Sequence, residues 1–341
     1  MRDDPTAATL LAPWAFDLPD ALIAREPAPE REQSRLYVFG EPPAMFCDLP
    51  RLLRAGDVLV LNDVQVFRAR LRAHRTSGGA VEVLIAAPDG DGFRAFVRPG
   101  RRLQEGERLR CGAGEVILRA CHADGTWTVA ADPDVDTLAR TAGEVPLPPY
   151  LRRAPTAQDE ARYQTVYAVA GGLRASAAPT AGLHFTEALL ARIAAMGVAV
   201  HRVALEVGAG TFQPLDAETW ARGRLHTERY NVPLETYLAV RKAKGEGRRV
   251  VAVGTTVLRV LESMGGAGPS TTDLFVRPGF RFQVVDALLT NFHLPCSSLL
   301  VLVSTFGGHE RVMAGYRDAV GQGFRFYSYG DAMWVGAVGR P

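Results

Sequence analysis

Cysteine is scarce and dispersed in this chain. The four in 341 residues (Cys47, Cys111, Cys121 and Cys296) form no CxxC pair and have no histidine at finger spacing, which excludes a disulfide framework and a structural zinc. Histidines at HxH or HxxxH spacing are also lacking, so no metal is expected. Long apolar runs are missing: no segment reaches the roughly eighteen residues of a membrane span. The opening "MRDDPTAATLLAPWAF" carries acids and a proline where a secretion signal needs a basic flank and an apolar stretch. A cytoplasmic protein without membrane contact is expected, and a monomer. A strong excess of one charge is lacking too. The net charge of +2 announces no nucleic-acid binder, so only local basic clusters bear on an anionic partner. One such cluster is "RARLRAH", where strand alternation puts Arg68, Arg70 and Arg72 on one side.

What is present is two textures. From about residue 57 to 130 the chain is a series of short β-type runs, "DVLVLN", "VFRARLRAH", "AVEVLIAA", "GFRAFVR", "GEVILRAC" and "TWTVAA", broken by turns rich in Gly, Asp and Pro. Strands at this spacing without helices predict a small antiparallel barrel or sandwich. A proline-rich joint, "GEVPLPPYLRRAP", ends it. Beyond the joint strands and helices alternate: "TEALLARIAAMG" with a stop at Gly197, "VAVHRVALEVG", "LETYLAVRKAKGEG", "RRVVAVG", "TTVLRVLESMGG", two more helices, and "FRFYSYGDAMWV" as a closing strand. The fold class expected is α/β: a large α/β domain (residues 1–56 and 149–341) with a small antiparallel β-barrel inserted at 57–148.

Four segments share one design, a strand end followed by Gly, Thr, Ser or Asn: "APTAGLHFTE", "LEVGAGTFQPL", "VAVGTTVLRVLE" and "LLTNFHLPCSSLL". Loops at the carboxyl ends of strands in an α/β layer converge on the ligand crevice, so together they predict one polar pocket. "VGAGTF" lacks dinucleotide spacing and "VGTTVLR" lacks the GK[ST] of a phosphate loop, yet Gly254 and Thr255 before a helix offer donors to an anion. Arg259, one turn along, could fork a carboxylate. His184 has no GxSxG context, which excludes a serine-hydrolase elbow. His226 and Glu228, two apart in a strand, could form an acid/base couple; His293 and Asp331 complete the titratable groups in polar loops.

With these loops in hand the chain resembles the S-adenosylmethionine:tRNA ribosyltransferase-isomerases of queuosine biosynthesis. The resemblance covers nearly its whole length and rests on "FDLPDALIAREPAPEREQSRL", "GDVLVLNDVQVFRARL", "LPPYLRR", "EARYQTVYA", "APTAGLHFT", "VGAGTFQP", "HTERY", "VVAVGTTVLRVLES", "TDLFVRPGFRFQVVDALLTNFHLP" and "FYSYGDAM". It implies a ribosyl donor role for S-adenosylmethionine, transfer to the aminomethyl nitrogen of preQ1 at the tRNA wobble position, loss of adenine and methionine, and an epoxyqueuosine product. Such chemistry needs a base at the acidified C5′ hydrogen, a proton donor for adenine and a neutral amine.

On this reading His184 is the first choice for the base, with His226, Glu228 and Asp63 as alternatives. Gly254, Thr255, Thr256 and Arg259 are expected near the methionine carboxylate. Thr180, Gly182, Phe185, Gly208, Gly210, Thr211, Asn291 and His293 are expected to shape the pocket for adenine and ribose, and Arg68, Arg70 and Arg72 to meet tRNA phosphate. The chain departs from the family's N-D-T-[RK]-V-I-P-A-R-L at Val64 and Gln65, and has Glu206 where the family has His before V-G-A-G-T-F. These changes keep two alternatives open: the same chemistry on another amine or nucleoside acceptor, and a non-catalytic RNA-binding module.

Overall fold

The computed structural model describes residues 9–100, 102–207 and 215–339. Strands β1 (Arg35–Val38) and β2 (Ala44–Met45) are followed by a 3-10 helix, Phe46–Leu52, and by β3 (Val58–Asn62). After β4 (Gln65–Val66) come β5 (Arg70–Arg75), β6 (Ala80–Asp89), β7 (Gly92–Arg98), β8 (Arg108–Cys111), β9 (Gly114–Cys121), β10 (Trp127–Asp132), helix α1 (Val135–Ala142) and β11 (Gly143–Glu144). The chain returns through α2 (Ala157–Arg162), β12 (Arg174–Ala175), the 3-10 turn Thr180–His184 and α3 (Glu187–Ala195). The remainder is β13 (Ala199–Leu205), α4 (Ala217–Arg222), β14 (Arg224–Val232), α5 (Leu234–Gly245), β15 (Val250–Val253), α6 (Thr255–Ser263), β16 (Gly268–Leu274), β17 (Ala287–Asn291), α7 (Ser298–Gly307), α8 (His309–Gly321) and β18 (Ala332–Gly336).

Nine strands form one mixed sheet in the order β16-β14-β13-β3-β15-β17-β18-β1-β2, with β13, β3, β15 and β17 mutually parallel at its centre. Its two faces are seen in β3. Val58 and Val60 enter a core shared with α5, α6, α7 and α8, whereas Leu59 and Leu61 enter one shared with α3 and the Phe46–Leu52 turn. A strand covered on both sides must be apolar throughout, and "VLVLN" is buried at every position. That corrects the expected boundary: "DVLVLN" belongs to the centre of the large sheet, and the inserted module starts after it.

The module is a barrel. β5-β6-β7-β10-β9-β8 pair antiparallel in sequence and β5 pairs again with β8, closing the ring. Alternate residues such as Leu71, Val83, Ile85, Val97, Leu109, Val116 and Val129 fill its interior, and α1 adds Val135 and Leu138 to the same core. The strand β8, "RLRC", was not among the runs read from the sequence. Thr186 caps α3 by accepting from Leu189 N at 3.0 Å, and the chain leaves that helix through Gly197 at φ +84°. The closing strand starts later than expected: the sheet strand is Ala332–Gly336, so only the last four residues of "FRFYSYGDAMWV" lie in it.

Candidate functional site

The carboxyl ends of the four central parallel strands lie side by side, since Val203 is in register with Asn62, Ala252 with Val60 and Leu289 with Val253. Beyond them come Glu206 and Val207 from β13, Asp63 from β3, Gly254 and Thr255 from β15, and Asn291 at the tip of β17. This edge is where an open α/β sheet takes its ligand. Asn62 fastens two of the strand ends: its Oδ1 accepts from Leu205 N at 3.1 Å and from Val64 N at 3.3 Å, and its Nδ2 donates to Leu205 O at 3.3 Å. Gly208, Gly210 and Thr211 lie outside the described residues.

Asp63 is half-buried at this edge. Burial pushes its carboxyl above the ordinary aspartate value, and the nearby Arg202 opposes that only in part. A carboxylate made more basic in a strand-end crevice is equipped to take a proton. Beside it Gly254 stands at φ +91°, a conformation that favours glycine, and opens α6 with no side-chain cap. The Oγ1 of Thr256, in the first turn, is buried without a hydrogen-bond partner. An uncapped helix start with an orphaned hydroxyl suits a carboxylate.

His184 is placed differently. It is 4% exposed, its ring is stacked on Phe46 at 4.9 Å, and both ring nitrogens are occupied. Asn291 Nδ2 donates to Nε2 at 3.2 Å, so Nδ1–H donates to Ser34 Oγ at 2.9 Å. Burial, with the positive charges of Arg325, Arg31 and Arg162, depresses the imidazolium to about 3. Such a ring is neutral, a weak base and without a free lone pair; it fastens the Thr180–His184 turn to β17 and to the Ser34 loop. His293 is similar: 9% exposed, within 3.2 Å of Thr290 Oγ1, and lowered to about 3 by burial.

The other expected residues divide. His226 is exposed, whereas Glu228 is half-buried and ion-paired to Arg259, so the proposed couple does not form. Arg259 spends Nε on Leu274 O at 3.0 Å and one terminal nitrogen on Glu228, which locks α6 to β14 and β16; its other terminal nitrogen is buried without a hydrogen-bond partner, so one donor rather than a fork remains. Phe185 is fully buried against Phe46 and Tyr167 and offers no face for adenine. Gly182 and Thr255 are buried, Thr180 is half-buried, and Gly254 and Ala181 bring the α6 start against the Thr180–His184 turn. Asp331 is structural, accepting from Arg35 N at 3.0 Å and Arg325 N at 2.8 Å.

The basic stripe is broken as well. Arg70 is 7% exposed, donates to Leu147 O at 2.7 Å and lies 3.4 Å from Glu82, so on the outer face of the barrel it is covered by the segment after β11. Arg68 and Arg72 are at the surface, paired with Glu160 and Glu144. Glu206 is held by Arg229 through two bonds of 2.7 and 2.8 Å, which ties the end of β13 to β14 and neutralises the carboxylate. Among the described residues no helix is long and apolar enough to cross a membrane, and no three His, Cys, Asp or Glu side chains gather as a metal site.

Thr165 and Tyr167 carry no mark in the sequence pattern. Both are buried beside Gly182 with hydroxyls that have no partner. They stand in "EARYQTVYA", whose lack of any charge beyond its first residues drew no attention to them.

This architecture can be set beside known proteins. The S-adenosylmethionine:tRNA ribosyltransferase-isomerase of Anaeromyxobacter sp. (strain K) is 46% identical over 342 residues, covering 95% of this chain and 99% of that relative. The protein of the same name from Trichlorobacter lovleyi is 45% identical, covering 96% and 99%. The crystal structure of S-adenosylmethionine tRNA ribosyltransferase from Thermotoga maritima matches with a TM-score of 0.54 at 33% identity, covering 94% of this chain and 99% of that one. Because the model of the queuosine biosynthesis protein family matches residues 11–335, nearly the full length, the chain belongs to that family.

Proposed function

We propose that this chain transfers and isomerises the ribosyl group of S-adenosylmethionine onto preQ1 in tRNA, with release of adenine and methionine, and that Asp63 rather than His184 takes the C5′ proton. The observation that carries this reading is the juxtaposition of Asp63 and the uncapped α6 start at the carboxyl ends of adjacent parallel strands. The residues fit the donor. The first turn of α6 with Thr256 suits the methionine carboxylate, and the half-buried Asp63, its basicity raised, stands at the end of the neighbouring strand. The electron-withdrawing sulfonium makes C5′–H acidic, so one positioned carboxylate receives the proton, while the amine of the acceptor attacks in its neutral form. His184, Ser34 and Asn291 then act through position, holding the Thr180–His184 turn against α6.

The tRNA is read partly by the barrel. Arg72 is exposed and Arg68 half-buried; the Arg68–Glu160 pair lies at the surface and is worth at most about 1 kcal/mol, so a phosphate can replace Glu160 there. Glu206, the clearest departure from the family pattern, is consumed by Arg229, and a different acceptor gains no support from it. A module that only binds RNA leaves the strand-end crevice without a purpose.

The test is adenine release from S-adenosylmethionine in the presence of preQ1-containing tRNA, unmodified tRNA or no acceptor. Release confined to preQ1-tRNA is the expected result. Release that depends on another amine, or binding without turnover, contradicts the proposal.

A further inference from the structure

Buried hydroxyls without partners are costly, at about 1–3 kcal/mol each, and three of them lie on or next to two segments that touch, the Thr180–His184 turn and the start of α6. Thr165 is 4% exposed and Tyr167 5% exposed; Thr165 Oγ1, Tyr167 Oη and Thr256 Oγ1 are all buried and unsatisfied. Thr165 and Tyr167 lie against Gly182, and Thr256 stands next to Gly254, which faces Ala181. A Cβ on Gly182 would lie 2.0 Å from Tyr167 Oη and 2.9 Å from Thr165 Cγ2. A Cβ on Gly254 would lie 3.7 Å from that of Ala181 and 3.5 Å from Thr256 Oγ1. Tyr167 also shares an apolar cluster with Ala181, Leu61 and Val253, the last two being strand residues just short of Asn62 and Gly254. The hydroxyls thus gather where the crevice begins, next to the nine-residue helix α6 and its uncapped N–H groups.

We infer that Thr165 and Tyr167, together with Thr256 and the first turn of α6, form a subsite that reads the carboxylate of the substrate's amino-acid moiety, and so selects a sulfonium nucleoside carrying that group. The inference rests on the reading that the crevice takes S-adenosylmethionine. A carboxylate is acceptor-only and presents about four lone-pair directions, which suits three hydroxyl donors and the free N–H groups of the helix start, with the guanidinium groups of Arg202 and Arg31 close enough to act on Tyr167. Burial pushes the Tyr167 hydroxyl far above its ordinary value, so it stays protonated and donates. The absence of a side chain at Gly182 is what lets that oxygen sit so close to the turn. Neutral donors have a further consequence: recognition holds across the whole pH range in which the substrate carboxylate is ionised.

The experiment compares binding of S-adenosylmethionine and its decarboxylated analogue to the full chain by titration calorimetry. Wild type should bind the carboxylated ligand at least about tenfold more tightly. Tyr167→Phe and Thr165→Val, each removing only the hydroxyl function, should each weaken S-adenosylmethionine by about tenfold to a hundredfold and leave the analogue within about twofold. Neither should lower the unfolding midpoint of the unligated protein, because the deleted hydroxyl has no protein partner to lose. Equal losses for both ligands overturn the inference in favour of general packing. Unchanged binding of both ligands overturns it in favour of hydroxyls satisfied by water. If wild type binds the two ligands equally well, the subsite is refuted while the crevice stands; if it binds neither, the reading of the crevice itself has failed.

Discussion

Acidification should weaken the large domain through two histidines, and the size of the effect follows from their burial. His184 and His293 have ordinary values of 6.5 and are each lowered to about 3 in the fold. Between those limits the unfolded chain binds protons that the native state refuses, so stability is full above the unfolded value and falls as pH drops from 6.5 toward 3. From about pH 6.5 to about pH 5 each imidazole removes roughly 1.6 kcal/mol, and the pair roughly 3 kcal/mol. His201, half-buried and also lowered, adds in the same direction. The assay is urea unfolding at fixed ionic strength across that window, followed by tryptophan fluorescence. Trp14, Trp220 and Trp334 all lie outside the barrel, in the part of the fold that holds both histidines. His184→Gln should remove about half of the histidine-pair contribution to the pH slope while retaining hydrogen-bonding groups for Ser34 and Asn291. An unchanged slope in that variant would mean that His184 protonates freely in the native state, and the account of a locked neutral ring would be refuted.

Two further perturbations test the packing around the site. Gly182→Ala places a Cβ 2.0 Å from the Tyr167 oxygen and should cost about 1–3 kcal/mol; adding Tyr167→Phe should restore part of it, as a double-mutant cycle by chemical unfolding will show. Asp159 is 1% exposed and accepts from Arg153 at 2.6 and 2.7 Å, from Thr156 N at 2.7 Å and from Tyr329 Oη at 2.7 Å. Its replacement by alanine strands a guanidinium and should lower unfolding stability by about 3–5 kcal/mol, loosening the joint between α2 and the segment before β18.

Much of the architecture could be read from local pattern. Alternation in "AVEVLIAA" and "GFRAFVR" announces strands with one face inward, and both became barrel walls. The boundary misplaced at "DVLVLN" had a visible clue, since a continuous apolar run belongs to a strand covered on both faces rather than to a small barrel. The gathering of strand-end loops also followed from the alternation of strands and helices. Roles within the crevice did not, because they depend on partners remote in sequence. Phe46 and Ser34 bury His184, Glu228 pairs with Arg259, and Arg229 consumes Glu206; no spacing rule connects these pairs. Arg70 does share the outer face of β5 with Arg72, since Leu71 and Ala73 between and beside them fill the barrel, but the segment that carries Leu147 covers it there, which alternation alone does not reveal. Thr165 and Tyr167 escaped notice for the opposite reason: a hydroxyl becomes conspicuous only once burial shows that nothing satisfies it.

The central claim, that the proton at C5′ goes to Asp63 while His184 holds the turn, is tested most directly by adenine release from S-adenosylmethionine with preQ1-tRNA, comparing Asp63→Asn and His184→Gln with wild type under saturating donor. Asp63→Asn should lose about a hundredfold to ten-thousandfold in rate while still binding the donor, and His184→Gln should stay within about tenfold. A near-normal rate for Asp63→Asn, or a collapse confined to His184→Gln with donor binding intact, would contradict the account.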